Sequence, residues 1–237
     1  MSEFETYLIS INKNILLGNY EKSKSDINTV HFLLDDIMKL QTLATSDIEK
    51  YRCVDFIASM SDELAFLLSR YAFELYNNKE LDIAGYAFLR ATQRELQKGN
   101  DTSVNNLVYM LRRNEGNLSS EFSISDMAEM LKTGLENHKP HSIVNLALLF
   151  VLKSGKDDDW KIADEVIMEL KKSEDSLNDM IMWWSDIENV GLVECLLVHL
   201  LLLKNEILQE SIFGSKKEII DKLIHENIYV PEWVYIS

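Results

Sequence analysis

Apolar residues recur along the chain at three- and four-residue intervals, the spacing that gathers them on one face of an α-helix. The first stripe is Phe4, Tyr7, Leu8, Ile11 and Ile15, closed by Gly18-Asn19. Ile27, Val30, Leu34, Ile37 and Met38 form the second, with Ser25 or Asp26 as its N-cap. A third helix follows Thr45-Ser46 and turns Ile48, Tyr51, Val54, Phe56 and Ile57 inward. Ser61-Asp62 either lies within that helix or caps another, which carries Leu64, Leu67, Leu68, Tyr71 and Leu75. Asn77-Asn78 marks a turn. Further helices are predicted from Leu81 to a C-cap at Gly99, and from a cap at Asp101 or Thr102 through Arg113. After a loop from Asn114 to Ser123, one more contains Asp126-Met127-Ala128. Another starts at Ser142 after the break His138-Lys139-Pro140, and the next is capped within Asp157–Asp159.

The stripe continues as Leu177, Met180, Ile181, Trp184 and Ile187. Val190 to Leu203 is nearly all apolar, interrupted by Glu194 and His199, and reads as a helix buried on most sides. It falls short of the ~20 apolar residues that span a bilayer. A last amphipathic helix places Ile219, Ile220, Leu223 and Ile224 together, and the tail from Tyr229 to Ile236, broken by Pro231, is expected to cap the last hairpin.

Two of these helices match. Ser103 to Arg113 and Ser142 to Leu152 each place Ser first and an Asn-Leu pair fourth and fifth, Asn106-Leu107 and Asn145-Leu146. Each precedes a segment with an alanine near its start, Ala128 or Ala163. Asn106 and Asn145 stand 39 positions apart, and Ala128 and Ala163 stand 35 apart, the loop at 114–123 absorbing the difference. Ala84 precedes Ala128 by 44. Periods of this size belong to two-helix repeats, because one hairpin cannot bury its apolar face alone and must stack on another. The expected fold is all-α, one domain over residues 1–237 built as an irregular α-solenoid of stacked antiparallel helix hairpins. It would hold about 11–12 helices. N-terminal helices would occupy 1–61, repeat-like hairpins 62–205, and a capping helix and tail 206–237.

Asn105 to Arg113 and Asp157-Asp-Asp-Trp-Lys-Ile-Ala163 resemble the first helix and the second-helix start of Sel1-like and tetratricopeptide repeats, over residues 62–205. The Leu-Gly turns of Sel1-like units are mostly missing here, and Trp183-Trp184 falls off the regular spacing. The resemblance implies a helical superhelix with a concave face for a protein or peptide, and it implies no catalytic residue.

Composition agrees with long helices. Eight glycines and two prolines are too few for the tight turns of a sandwich or barrel, while 46% apolar residues suffice for a continuous core. Charge changes the picture more. The formal net charge is −15, with −7 of it between residues 156 and 189. All six arginines lie between Arg52 and Arg113. Phosphate backbones are bound by Lys and Arg, so direct nucleic-acid binding is disfavoured and a basic protein partner is favoured. Cys53 and Cys195 sit in apolar helical patterns, as buried free thiols. The start Met1-Ser-Glu-Phe-Glu5 has no basic region before an apolar run, so a cytoplasmic protein is expected.

The chain offers little chemistry. His138 and His141 share a proline-containing loop without an acid at helical spacing, and His199 within its leucine run reads as a hydrogen-bonded core residue. Glu-x-x-His, His-Glu-x-x-His, Gly-rich phosphate loops and Gly-x-Ser-x-Gly are all missing. No catalytic residue, metal or cofactor is expected. Asp157, Asp158 and Asp159 are adjacent, whereas calcium loops alternate their ligands and place a glycine for the turn, so helix capping fits them better.

These acids, with Asp164 and Asp186, are candidates for steering a basic partner, and Trp160, Trp183 and Trp184 for anchoring it. Adjacent helical residues point about 100° apart, so one neighbour is not expected to bury both Trp183 and Trp184, although a helix buried on two sides would hide both in the core, the favoured reading of the pair. Arg90 and Arg94, one turn apart, are candidates for an anion or acidic-peptide patch. The expected function is non-enzymatic binding of a basic protein, as in a bacterial immunity protein that neutralises a toxin. The alternative is a regulatory or adaptor module that holds a peptide or small ligand in a concave groove.

Overall fold

The computed structural model describes residues 2–17, 27–59, 66–95, 102–153 and 156–236. The expected ends and caps at Gly18-Asn19, Ser25 or Asp26, Ser61-Asp62, Gly99 and Asp101 lie outside these residues. Among the described residues the protein is all-helical, with no strand. The helices are α1 (Glu3–Leu16), α2 (Ile27–Leu43), α3 (Asp47–Ala58), α4 (Phe66–Asn77), α5 (Leu81–Glu95), α6 (Thr102–Arg112), α7 (Ile124–Glu136) and α8 (Pro140–Lys153). They continue as α9 (Asp157–Met168), α10 (Leu177–Trp183), α11 (Ile187–Val190), α12 (Leu192–Lys204), α13 (Lys216–His225) and α14 (Glu232–Ile236). Short 3-10 turns occupy Asn117–Ser120 and Glu169–Lys172.

Helices adjacent in sequence pack against one another: α4 on α5, α5 on α6, α7 on α8, and α8 on α9. This is the stacked-hairpin arrangement that the apolar stripes predict. Among the described residues fourteen α-helices stand where about 11–12 were expected. The excess arises after residue 172. Asp186 takes an extended backbone and caps α11, Gly191 at φ 100° separates α11 from α12, and the tail coils into α14 directly after Pro231. Proline is tolerated there because it precedes the helix and need not donate a backbone hydrogen bond within it.

Contacts divide the chain into two compact units, one reaching Ser120 and one starting at Glu121. The division falls inside the segment 62–205 read from the sequence as continuous. The matched helices α6 and α8 belong to different units.

Unit 1 contains α1 to α6. Phe4, Leu33, Ile37, Leu40, Val54, Ile57, Leu67, Leu68, Leu75, Ala84, Ala87, Phe88 and Leu107 fill its core. Polar side chains fix how the helices meet. Arg52 reaches Glu5 at 2.6 Å and joins α3 to α1. The Tyr71 hydroxyl donates to Gln41, whose amide donates to Glu80 at 3.1 Å, and Lys50 lies 3.0 Å from the same carboxylate. Glu95 at the end of α5 accepts from the backbone N–H of Ser103 at 2.8 Å and from its hydroxyl at 2.9 Å, so α5 supplies the cap of α6.

The 3-10 turn after α6 is tied to the start of α5. Asp82 accepts from the Asn117 backbone at 2.7 Å and from its amide at 2.8 Å. Gly116 makes the approach possible: φ is +77°, and a Cβ there would stand 3.0 Å from the Leu81 carbonyl oxygen. Gly116→Ala is expected to destabilise unit 1 by about 1–3 kcal/mol, seen as a lower urea midpoint with an unchanged slope.

Unit 2 contains α7 to α14 and is built on its two most apolar helices, α8 and α12, which pack together. Ile143, Val144, Ala147, Leu148 and Leu149 of α8 are fully buried, as are Leu196, Leu197, Leu200, Leu201 and Leu202 of α12. α8 starts at Pro140, in the favoured first helical position, and not at Ser142 as the sequence suggested; Ser142 is buried inside the first turn.

Serines at 2, 46, 123, 176 and 215 cap α1, α3, α7, α10 and α13 through their side-chain oxygens. Helix C-termini follow a less expected rule. α4, α6, α7, α12 and α13 end on Lys79, Asn114, His138, Glu206 and Asn227, all at positive φ and none a glycine. Each closes the same pair of hydrogen bonds. After α7, for example, Lys139 N–H donates to Gly134 at 2.8 Å and His138 N–H to Leu135 at 3.0 Å, the Schellman pattern.

Candidate functional site

The carboxylates singled out on α9 have separate internal duties. Asp157 accepts from the hydroxyl of Tyr229 and ties the C-terminal tail to α9. Asp158 pairs with Lys161 at 3.0 Å, one turn on. Asp159 accepts the Lys156 backbone N–H at 3.3 Å, the capping role that its position suggests. Asp164 is drawn inward, with one oxygen 2.7 Å from the Lys204 ammonium and the other 2.7 Å from the Asn205 amide. Lys204 also lies 4.9 Å above the Trp233 ring of α14. Asp164 therefore belongs to the junction of α9 with the end of α12. Asp186 accepts from the Glu188 and Asn189 backbones at the start of α11. The Asn189 side-chain amide and then those N–H groups hold its carboxyl below the usual carboxylate range.

The three candidate anchors separate sharply. Trp160 is 0% exposed and Trp184 1% exposed, so both are core residues and cannot anchor a partner at the surface. Trp160 continues the inner stripe of α9 with Ala163 and Ile167, and Trp184 follows Met180 one turn later on the buried side of α10. Their indole N–H groups have no hydrogen-bond acceptor among the described residues. Trp183 is 38% exposed, beside Met182 at 70% and ahead of Ile187 at 45%. α10 packs on α8, and the rotation between adjacent residues turns Trp183 about 100° away from the buried Trp184.

Arg90 and Arg94 serve unit 1. Arg94 donates to the Ala58 carbonyl at 2.7 Å, satisfying the end of α3. Arg90 stands 3.5 Å from Asp55, which also accepts from Tyr86 at 2.9 Å. These contacts fasten α5 to α3 and account for both arginines without an anion.

Sequence reasoning missed Met182 and Ile187, which extend the exposed apolar surface around Trp183, and the free acids beside them. Their signal was present in the charge pattern. From Lys172 to Lys204 the chain has six carboxylates and no lysine or arginine between those two. Asp175 reaches back to Lys139 at 3.0 Å, and Asp186 is a cap. Glu174, Asp179 and Glu188 make no ion pair among the described residues.

The same segment is held in place by His199, which is 1% exposed in α12. Ser185 donates to the Ile181 carbonyl at 2.6 Å and lies 2.9 Å from His199 Nε2, so that nitrogen carries the proton and donates to the serine. Ser211 accepts the Phe213 N–H at 3.1 Å and gives its own proton to Nδ1 across 2.8 Å. Phe213 adds an edge contact, ring centroids 4.7 Å apart. Burial pushes the imidazole pKa down to about 4. A serine beside a histidine resembles a nucleophile and its base, but a ring this acidic is a poor base near neutrality. Its far nitrogen also faces a hydroxyl where a carboxylate would stabilise imidazolium. The cluster acts as a clamp joining the turn after α10, α12 and the loop before α13.

Each unit also contains a cavity. One of about 600 Å³ opens among Leu203, Gln209, Glu210, Ser211 and Lys216 in unit 2. Another of about 350 Å³ is lined by Asp47, Lys50, Tyr51, Lys79, Glu80 and Asp82 in unit 1, three carboxylates beside two ammonium groups. Among the described residues no group of three or more His, Cys, Asp or Glu is placed to hold a metal ion, and no helix is long and apolar enough to cross a membrane. No family model, curated protein or solved structure matches this chain.

Proposed function

We propose that this chain is a non-enzymatic, cytoplasmic binding protein whose partner is a basic protein, and that it acts as a stoichiometric inhibitor in the manner of a bacterial immunity protein covering a toxin. The observation that carries this reading is the segregation of charge. Residues 121–237 bear −11 of the net −15, and the stretch between Lys172 and Lys204 has acids alone. An uncompensated field of this kind draws a cationic partner in from solution and repels an anionic one, raising the association rate more than the final affinity. The acids at 174, 179 and 188 are suited to this role because no cation among the described residues pairs with them.

The test is capture of partners from the native host on the full-length chain at low and at high salt. Retention of a basic protein at low salt and its release as salt rises is the expected result, since attraction between exposed charges is screened within about 10 Å at 0.1 M salt. Recovery of no protein contradicts the proposal. Salt-independent retention would favour the alternative, an adaptor that holds its ligand in a groove.

A further inference from the structure

The acidic surface of unit 2 contains an apolar centre, and that centre defines its occupant. Asp179, Met182 and Trp183 are spaced three and four residues apart on α10 and share one face. Ile187 and Glu188 open the next helix. The opposite side is pinned to the core by Met180, Trp184 and Val190, all buried. The clamp from His199 to Ser185 fixes the turn between the two short helices. Trp183 is thus an aromatic side chain on a fixed backbone, with no hydrogen bond, ion pair or ring contact of its own among the described residues. Asp179 and Glu188 flank it without a counter-charge.

We infer that the α10–α11 face is a docking site for a basic amphipathic segment of a protein partner, one that sets lysine or arginine side chains around a bulky apolar residue. Charge complementarity selects this occupant. A second copy docking through the same face would bring acids against acids, and an acidic or neutral peptide would leave Asp179 and Glu188 unpaired while burying Met182 and Trp183. A guanidinium or ammonium group answers both features, pairing with a carboxylate and lying over the indole face. Interfaces commonly place one such aromatic anchor at the centre of a charged rim. The inference rests on the basic-partner reading above and assigns it a place.

The probe is a synthetic amphipathic leucine–lysine helix, compared with polylysine of equal charge and with the leucine–glutamate counterpart. Anisotropy of a fluorophore on the peptide records binding for the parent and every variant, and tryptophan emission reports burial of Trp183 in the parent, because all four tryptophans fall in unit 2 and the indole of Trp183 is the one at the open face. The leucine–lysine helix is expected to bind and shift the emission to the blue, polylysine to bind more weakly, and the glutamate peptide not to bind. Trp183→Ala should weaken binding of the leucine–lysine helix about tenfold. Met182→Ser, at a more exposed position with little bearing on folding, should weaken it several-fold. Asp179→Asn with Glu188→Gln should remove most of the salt dependence. Ile224→Ala, exposed on α13, serves as the control and should change nothing.

The inference is overturned if polylysine binds as tightly as the amphipathic helix, if the Met182 and Trp183 variants bind within twofold of the parent, or if Ile224→Ala weakens binding equally. A basic host protein that is retained unchanged by the Trp183 and Met182 variants would remove this site and leave the basic-partner reading intact. Failure of both the host capture and the peptide titration would remove both.

Discussion

Trp160→Ala is expected to destabilise unit 2 by about 3–5 kcal/mol, the range for deleting a fully buried large aromatic side chain. Trp160 lies at 0% exposure on the inner face of α9, and α9 packs on α8 and α12, the two helices of the unit's core. Removing the indole leaves a void bordered by helices that are themselves held by other contacts, so collapse is incomplete and the cavity persists. Trp160→Phe separates the two properties of the side chain. It keeps most of the apolar volume and removes an indole N–H that has no acceptor among the described residues. The lost packing is partly offset by relief of an unsatisfied buried donor, so the expected loss is about 1 kcal/mol. Urea unfolding followed by far-UV circular dichroism measures both. Equal losses for the two variants would mean that the indole N–H has a partner and that volume is not the main contribution.

The second large effect is acid sensitivity through His199. Its folded-state pKa of about 4 lies below the ordinary 6.5, because burial disfavours the charged ring. The folded state therefore favours the neutral form. The associated stability is complete above about pH 6.5 and declines as the pH falls from there toward 4, by on the order of 3 kcal/mol in total. Protonation also reverses the role of Nδ1, which then presents a proton to Ser211 where it had accepted one. His199→Gln, which can hydrogen-bond but does not titrate, should be less stable than the parent at pH 7 and should lack this decline. The difference between the two stability–pH curves isolates the ring, since the carboxylates are common to both. Asp126, Asp186 and Glu218, whose capping hydrogen bonds depress their pKa values, act in a separate window. Their contribution is present above the ordinary carboxylate range and is lost as the pH falls through their lowered folded-state values.

The fold was largely legible because its determinant is periodic. Stripes such as Phe4, Leu8 and Ile11, or Ile219, Ile220 and Leu223, require only local spacing to be recognised as helix faces. The leucine run of α12 likewise announced a buried helix with a hydrogen-bonded histidine inside it. Helix ends were harder to read. Five Schellman ends use lysine, asparagine, histidine or glutamate at positive φ, so a search for a terminal glycine passes over them. The cap of α6 comes from Glu95 on the preceding helix, a relation that no local signature records.

The candidate site was read less well, for a related reason. Composition identified tryptophans and aspartates as contact residues, but exposure depends on which side of each helix is covered. Trp160 and Trp184 proved to be core, and Asp164 proved to be the internal partner of Lys204 and Asn205. Trp183 kept its place because it stands one position from Trp184, hence about 100° around the helix. Met182 and the unpaired acids beside it could have been found from the absence of cations between Lys172 and Lys204, a pattern that needs no tertiary information.

The two cysteines acquire a use from where the fold puts them. Cys53 on α3 and Cys195 on α12 are both fully buried, one in each unit, and burial raises their thiol pKa values to about 12 and about 11. Neither sulfur is a nucleophile near neutral pH while its core is closed, since the thiolate is the reactive form. Alkylation then proceeds only through opening, and each thiol acts as a clock for the unit that contains it. The chain carries an internal pair of timers, able to show whether the two cores open together or independently without any added label.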